Sequence, residues 1–239
     1  MLWSRAGRRL GCVATVVVRI FVVFVLVSVL NTARAHAIEA RKPVMYHAAV
    51  VNGSVTGSAF SISQGIAVTN AHVVGGRDAG DLIYLLLPGQ PRVAARILAI
   101  SPRIDLAVLS ISDGLLPVAP AGEARDGRGQ SVYAVGVIAS SGAPRRQVTV
   151  PGTVSSGMQT VRPFGRGVIA RMPGVRRGFS GGPVFDRRGQ LVGMVAALRP
   201  GRSGNASARE AFILSADDVR EEVARLMRRA DVWRSADTR

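Results

Sequence analysis

Gly178-Phe179-Ser180-Gly181-Gly182-Pro183 is the segment whose residue types and spacing point most directly to chemistry. A serine hydroxyl is a weak nucleophile. It needs a base to take its proton, and N–H donors to hold the oxyanion that forms on attack. Flanking glycines let the backbone turn tightly enough to aim N–H groups at that oxyanion. Taken alone, the segment reads equally well as a Gly-Ser loop between strands. A base has to come from elsewhere, and the chain offers few: His36, His47 and His72 are its only histidines, and all precede Ser180.

The string also matches G-x-S-x-G, the nucleophile elbow of α/β-hydrolases. That arrangement places its histidine after the serine, and none follows Ser180. His72 closes Val68-Thr69-Asn70-Ala71-His72, just past a strand-like run. Asp105 opens Asp105-Leu106-Ala107-Val108-Leu109, where a carboxylate directly before an apolar run is drawn inward and must find a partner. Singly, each has an ordinary structural reading, as a strand-end histidine and a turn aspartate. Together they stand in the order His, Asp, Ser with no competing base downstream.

The elements that must position these residues are short and β-rich. Tyr46–Val51, Gly57–Ile62, Ile66–Thr69, Leu82–Leu87, Val93–Ile100 and Leu106–Ile111 form one set. Val132–Ile138, Gln147–Ser155, Gly167–Arg171, Pro183–Phe185, Gln190–Ala197 and Ala211–Leu214 form another. Twelve short runs punctuated by Gly, Pro, Asp and Ser leave no room for ordinary helices and predict an all-β sandwich or barrel. The Pro-, Gly- and Ala-rich stretch Pro117 to Gly129 divides them into two groups of six, as two small barrels require. One helix is predicted at the end. Ser215 caps it, Asp217 and Asp218 sit in its first turn, and Val219, Val223, Leu226 and Ala230 make one apolar stripe.

The N-terminus belongs to no barrel. Arg5, Arg8 and Arg9 precede an apolar run from Ile20 to Leu30, and Ala33-Arg34-Ala35 and Ala35-His36-Ala37 both fit an export cleavage site. Residues 1–37 are expected to be a cleaved signal peptide and the mature protein periplasmic or secreted. The alternative is an anchor in the inner membrane through residues 10–30, with Arg19 inside the span. Cys12, the only cysteine, lies in this leader, which excludes disulfides and cysteine chemistry from the mature chain.

The formal charge of +16 includes five arginines and no acid in residues 1–35, which leaves +11 for the remainder. A basic balance raises a nucleic-acid partner as a possibility. With Lys42 the only lysine, arginines scattered and aromatics at 5%, no stacking platform is visible, and no nucleic-acid partner is expected.

Thr69-Asn70-Ala71-His72, Asp105-Leu106-Ala107-Val108-Leu109 and Gly178-Phe179-Ser180-Gly181-Gly182-Pro183 resemble the three motifs of trypsin-like serine peptidases. The likeness is greatest to the protease domain of bacterial HtrA/Deg-type periplasmic proteases. Gly57-Ser58-Ala59-Phe60 and Gly189-Gln190-Leu191-Val192-Gly193 are similar to that group as well. The resemblance covers about residues 44 to 215. It implies a chymotrypsin-like fold of two six-stranded antiparallel barrels with a C-terminal helix. The peptidase domain is then expected at 38–230, with barrel one at about 44–116, barrel two at about 130–214, the helix at about 216–230 and a polar tail at 231–239.

The same resemblance assigns Ser180 as nucleophile, His72 as general base and Asp105 as the residue that orients the imidazole. The N–H groups of Gly178 and Ser180 become the oxyanion hole, and neither a metal nor an organic cofactor is implied. The primary pocket would have Gly174 at its base and Ala196, Ala197 and Leu198 along its wall. Without a carboxylate at Gly174, and with Leu198 narrowing the slot, substrates with a small aliphatic residue before the cut are expected. Polypeptides are the expected partners. Three departures matter. No PDZ domain is expected after the helix, so PDZ-based regulation is not carried over. Phe179 stands where digestive relatives have an aspartate that pairs with a new amino terminus. Ala196 stands where relatives often have a serine bonded to the aspartate of the triad. On the same motifs, the alternative is a protease-fold scaffold that does not cleave, against which the complete set of three residues argues.

Overall fold

A computed structural model describes residues 42–122, 127–140, 143–200 and 209–236. The expected leader, with Cys12 and His36, lies outside the described residues. Six strands form the first barrel: β1 (His47–Asn52), β2 (Val55–Ser63), β3 (Ile66–Thr69), β4 (Leu82–Leu86), β5 (Val93–Ile100) and β6 (Ala107–Ser110). They pair in the ring order β1-β2-β3-β6-β5-β4, closed by β1 against β4. Alternation selects the inner face. On β4, Ile83 and Leu85 are buried while Leu82 and Tyr84 face out. Small residues make the narrow interior fillable, with Ala48, Ala59, Ala67, Ala95 and Ala107 set among Val50, Ile83, Leu85, Ile97 and Leu109.

The second group comprises β7 (Ser131–Ser140), β8 (Ala143–Val154), β9 (Gln159–Val161), β10 (Gly165–Arg171), β11 (Pro183–Asp186), β12 (Leu191–Pro200) and β13 (Arg209–Ser215). Six of these close into a second antiparallel ring, β13-β12-β11-β7-β8-β10, through pairing of β10 with β13. The seventh, β9, adds to the edge of β10, with Gly165 opposite Val161. Its three residues are too few to display a period, so no pattern in the sequence announces it.

The final helix, α1 (Ala216–Ala236), begins on a cap. Ser215 Oγ accepts the Asp218 N–H at 3.1 Å and donates to the Asp218 carboxylate at 2.9 Å. It continues past the expected end near 230, since neither Gly nor Pro interrupts Asp231 to Ala236. Among the described residues no helix is long and apolar enough to cross a membrane.

A shared core joins the two barrels. Phe60, Val68 and Leu106 from the first pack with Val135, Ile169, Phe185, Met194 and Leu214 from the second, and with Ala216 and Val219 of α1. β1 is buried along its whole length, because one face lines its own barrel and the other faces the second. The candidate catalytic residues lie in the loops along this seam.

Candidate active site

His72 sits in a single 3-10 turn, Ala71–Val74, that follows β3. Val73 and Val74 are buried and anchor the turn, leaving the His72 side chain 48% exposed. Asp105 precedes β6 and is only 7% exposed. Its carboxylate is engaged twice by one residue: Oδ1 accepts the His72 backbone N–H at 3.0 Å, and Oδ2 lies 2.8 Å from His72 Nδ1. A carboxylate can only accept, so Nδ1 carries the proton and Nε2 is the unprotonated nitrogen of the neutral ring. Asn70 staples the two turns together by donating Nδ2–H to the Asp105 carbonyl at 2.9 Å.

The loop carrying Ser180 is held from below. Phe179 is fully buried, and its ring packs so close to Gly136 that a Cβ there would come within 2.4 Å of it. An apolar anchor thus stands where digestive relatives use an ion pair. Gly178 has φ +98° and Gly181 φ +81°, conformations that side chains other than glycine rarely adopt. A Cβ on Gly181 would also lie 2.1 Å from the Ser58 carbonyl oxygen, 2.5 Å from Thr69 Oγ1 and 3.2 Å from the Asn70 nitrogen. The loop after β10 therefore presses directly against the segment that leads into His72. Gly57 makes the same close approach from the other side, since a Cβ there would be 2.6 Å from Val73 Cγ1 and 3.2 Å from the Ser180 carbonyl oxygen.

Ser58 on β2 holds the Ser180 loop. Its N–H donates to the Ser180 carbonyl at 2.8 Å and its hydroxyl to the Gly178 carbonyl at 2.6 Å. The N–H groups of Gly178 and Ser180 make no hydrogen bond to another described residue and remain available. Behind Ser58 lies His47, 1% exposed, with Nε2 2.7 Å from the Ser58 hydroxyl. Burial pushes the His47 pKa down to about 3. In the sequence His47 stands out only as a possible base. The available signal was a histidine inside an otherwise apolar strand.

The expected pocket residues divide between two clusters. Leu198 packs in the cluster that includes Val150, Phe179 and Val195, and Gly174 stands against Val150, 2.9 Å from a built Cβ to Cγ1. Ala196 is buried at an irregularity between Val195 and Ala197, and both alanines pack with the seam cluster. A cavity of about 240 Å³ opens on barrel one between Asn52, Arg77, Tyr84 and Arg92 and is lined by none of the candidate residues. Among the described residues no group of three His, Cys, Asp or Glu side chains is placed to hold a metal ion.

Residues 57–194 match the family model described as a trypsin-like peptidase domain. The chain is 31% identical over 190 residues to a probable periplasmic serine endoprotease DegP-like of Brucella suis biovar 1, covering 74% of this chain and 34% of that protein. The counterpart from Bartonella henselae is also 31% identical, over 187 residues, with the same shares. The chain thus spans about a third of the length of these curated relatives. Among solved structures, the serine endoprotease from Yersinia pestis superposes with a TM-score of 0.62 at 23% identity, over 80% of this chain and 65% of that one. The HtrA-type protease AlgW with tripeptide gives 0.63 at 24% identity, over 77% and 61%. The two-barrel fold is the one these structures share.

Proposed function

The chain belongs to the trypsin-like peptidase domain family, and we propose that it is an active serine endopeptidase that cleaves exported or periplasmic polypeptides through Ser180, His72 and Asp105. The observation that carries this reading is the double engagement of Asp105 by His72, directly beside the loop of Ser180. With Nδ1–H bound to the carboxylate, Nε2 takes the Ser180 proton as Oγ attacks the substrate carbonyl. It returns that proton to the leaving amine. Asp105 stabilises the imidazolium formed in between. The oxyanion is received by the N–H groups of Gly178 and Ser180, which have no other described partner.

Asp105 keeps two hydrogen bonds from His72 although Ala196 offers it no hydroxyl. The backbone bond supplies the second donor, which supports a working triad without the serine that relatives carry. The primary pocket, with Gly174, Ala196, Ala197 and Leu198, favours small aliphatic residues before the cut. A periplasmic location is supported by the leader expected at residues 1–37 and by relatives described as periplasmic. Turnover of a fluorogenic peptide with valine before the cleavable bond, compared between wild type and Ser180→Ala, tests the proposal. Loss of all but residual turnover in the variant is expected. Equal turnover in both would overturn it.

A further inference from the structure

We propose that His47 is a positioning residue for the oxyanion turn, its Nε2–H holding the Ser58 hydroxyl in the orientation that donates to the Gly178 carbonyl. The inference rests on Gly178 and Ser180 being the oxyanion donors. The Gly178 carbonyl can only accept, so the 2.6 Å contact from Ser58 Oγ uses that hydroxyl's single proton. The 2.7 Å contact between Ser58 Oγ and His47 Nε2 then requires Nε2 to donate. His47 is therefore the Nε2–H tautomer, and its Nδ1, which meets no partner among the described residues, is a bare lone pair. A buried lone pair costs less than a buried orphan N–H with no acceptor, so the arrangement is consistent at both ring nitrogens.

The consequence falls on the turn. Ser58 grips two carbonyls, Gly178 through its hydroxyl and Ser180 through its N–H. These belong to the peptide planes on either side of the one that carries the Ser180 N–H. Gly178, at φ +98°, is the residue about which the turn would otherwise rotate most freely. Fixing its carbonyl removes that freedom. A chain of aligned hydrogen bonds from imidazole to hydroxyl to carbonyl also polarises each member toward the next. His47 is fixed in turn by its strand, where the Gln147 side chain donates to its carbonyl at 2.9 Å, tying β1 to β8.

The test has two arms, both on the full chain. In the wild type labelled with ¹⁵N-histidine, NMR should find His47 protonated at Nε2 and bare at Nδ1. The opposite tautomer would overturn the relay, whatever the activity. In kinetics with the valine-containing fluorogenic peptide, Ser58→Ala and His47→Leu should lower kcat by about ten- to a hundredfold. That is less than the roughly 10²–10³ expected for deleting an oxyanion donor itself. KM should stay within about twofold, and a peptide aldehyde, which forms an oxyanion, should bind more weakly while the free product peptide does not. His47→Gln, which keeps an N–H donor, should recover most of the rate. If His47→Leu does not fold, Ser58→Ala and His47→Gln carry the comparison. Wild-type kcat in folded Ser58→Ala, or a loss in His47→Gln as deep as in Ser58→Ala, would overturn the inference. A wild type inert toward both peptide and aldehyde would instead sink the peptidase reading and leave the tautomer result standing.

Discussion

Ser101 donates its hydroxyl proton to the carboxylate of Glu222, so α1 is bonded to the turn that delivers Asp105 to the site. The same hydroxyl accepts the N–H groups of Arg103 at 3.0 Å and Ile104 at 3.2 Å, which shapes the turn from within. Glu222 is 5% exposed and also receives Arg225, with Arg103 3.7 Å away. A helix remote from the chemistry thereby braces the loop of the candidate triad aspartate.

Glu222→Ala should accordingly destabilise the protein more than loss of a surface ion pair would. Removing a charged, buried acceptor leaves Ser101 and Arg225 short of a partner, at a cost of about 1.5–3 kcal/mol. Urea unfolding of the variant measures this. A loss below about 0.5 kcal/mol, the range of an exposed pair, would mean that the bond does not brace the turn.

Acid should weaken the fold through His47. Its folded pKa of about 3 lies below the ordinary 6.5 because burial disfavours the imidazolium. Between those values the unfolded chain binds a proton that the folded chain refuses. The stability linked to His47 is thus complete above about pH 6.5 and is lost as pH falls toward 3. The loss reaches up to about 1.4 kcal/mol per unit within that window. The groups on its polar atoms, Ser58 and Gln147, are neutral and do not offset it. Glu222 adds a loss at lower pH. The hydrogen bond from Arg225 holds its carboxyl below the usual range, so its contribution is present above that range and disappears as pH falls through the folded value. Urea midpoints should drop between about pH 6.5 and about pH 4.5 in the wild type and drop less in His47→Gln. Identical slopes in the two proteins would contradict this.

Gly181→Ala should be disabling even though it adds one carbon. The position has φ +81°, and the new Cβ would meet the Ser58 carbonyl oxygen at 2.1 Å, where only backbone movement can make room. A destabilisation of about 2 kcal/mol or more and loss of turnover are expected. Near-wild-type activity in Gly181→Ala would show that this loop does not need its tight seat against β2.

Peptide libraries varied only at the residue before the cut should rank Val and Ala above Arg, Lys and Phe. In the proposed pocket Gly174 would offer no counter-charge and Leu198 would limit the width. Apolar pockets discriminate by about 1–3 kcal/mol, so graded preference is the expected form. Faster cleavage after Arg or Phe would refute this assignment of the pocket and leave the triad untouched.

Much of this was legible in the residues themselves. Each of the twelve strands read from alternation and turn residues has its counterpart, since Ile83 and Leu85 inward against Leu82 and Tyr84 outward is a pattern any barrel wall must carry. The apolar run after Asp105 signals that its carboxylate needs a partner, and the roles of His72, Asp105 and Ser180 come from the resemblance of their motifs to those of trypsin-like peptidases. What stayed hidden depends on contacts between distant segments. Ser58 and Gly178 are 120 residues apart, and no local pattern announces their bond. Nor does spacing reveal that Glu222 reaches Ser101, 121 residues away, because an acidic residue on an amphipathic helix ordinarily faces water.

The central claim is that Ser180 is a nucleophile activated by His72. The most direct measurement is mass-spectrometric mapping of the adduct left by a fluorophosphonate probe on the purified protein. A single modified residue is expected, Ser180, labelled at a rate that falls by at least about 10³-fold in His72→Ala while circular dichroism is unchanged. Labelling at another residue, or equal labelling of Ser180 with and without the His72 imidazole, would contradict it.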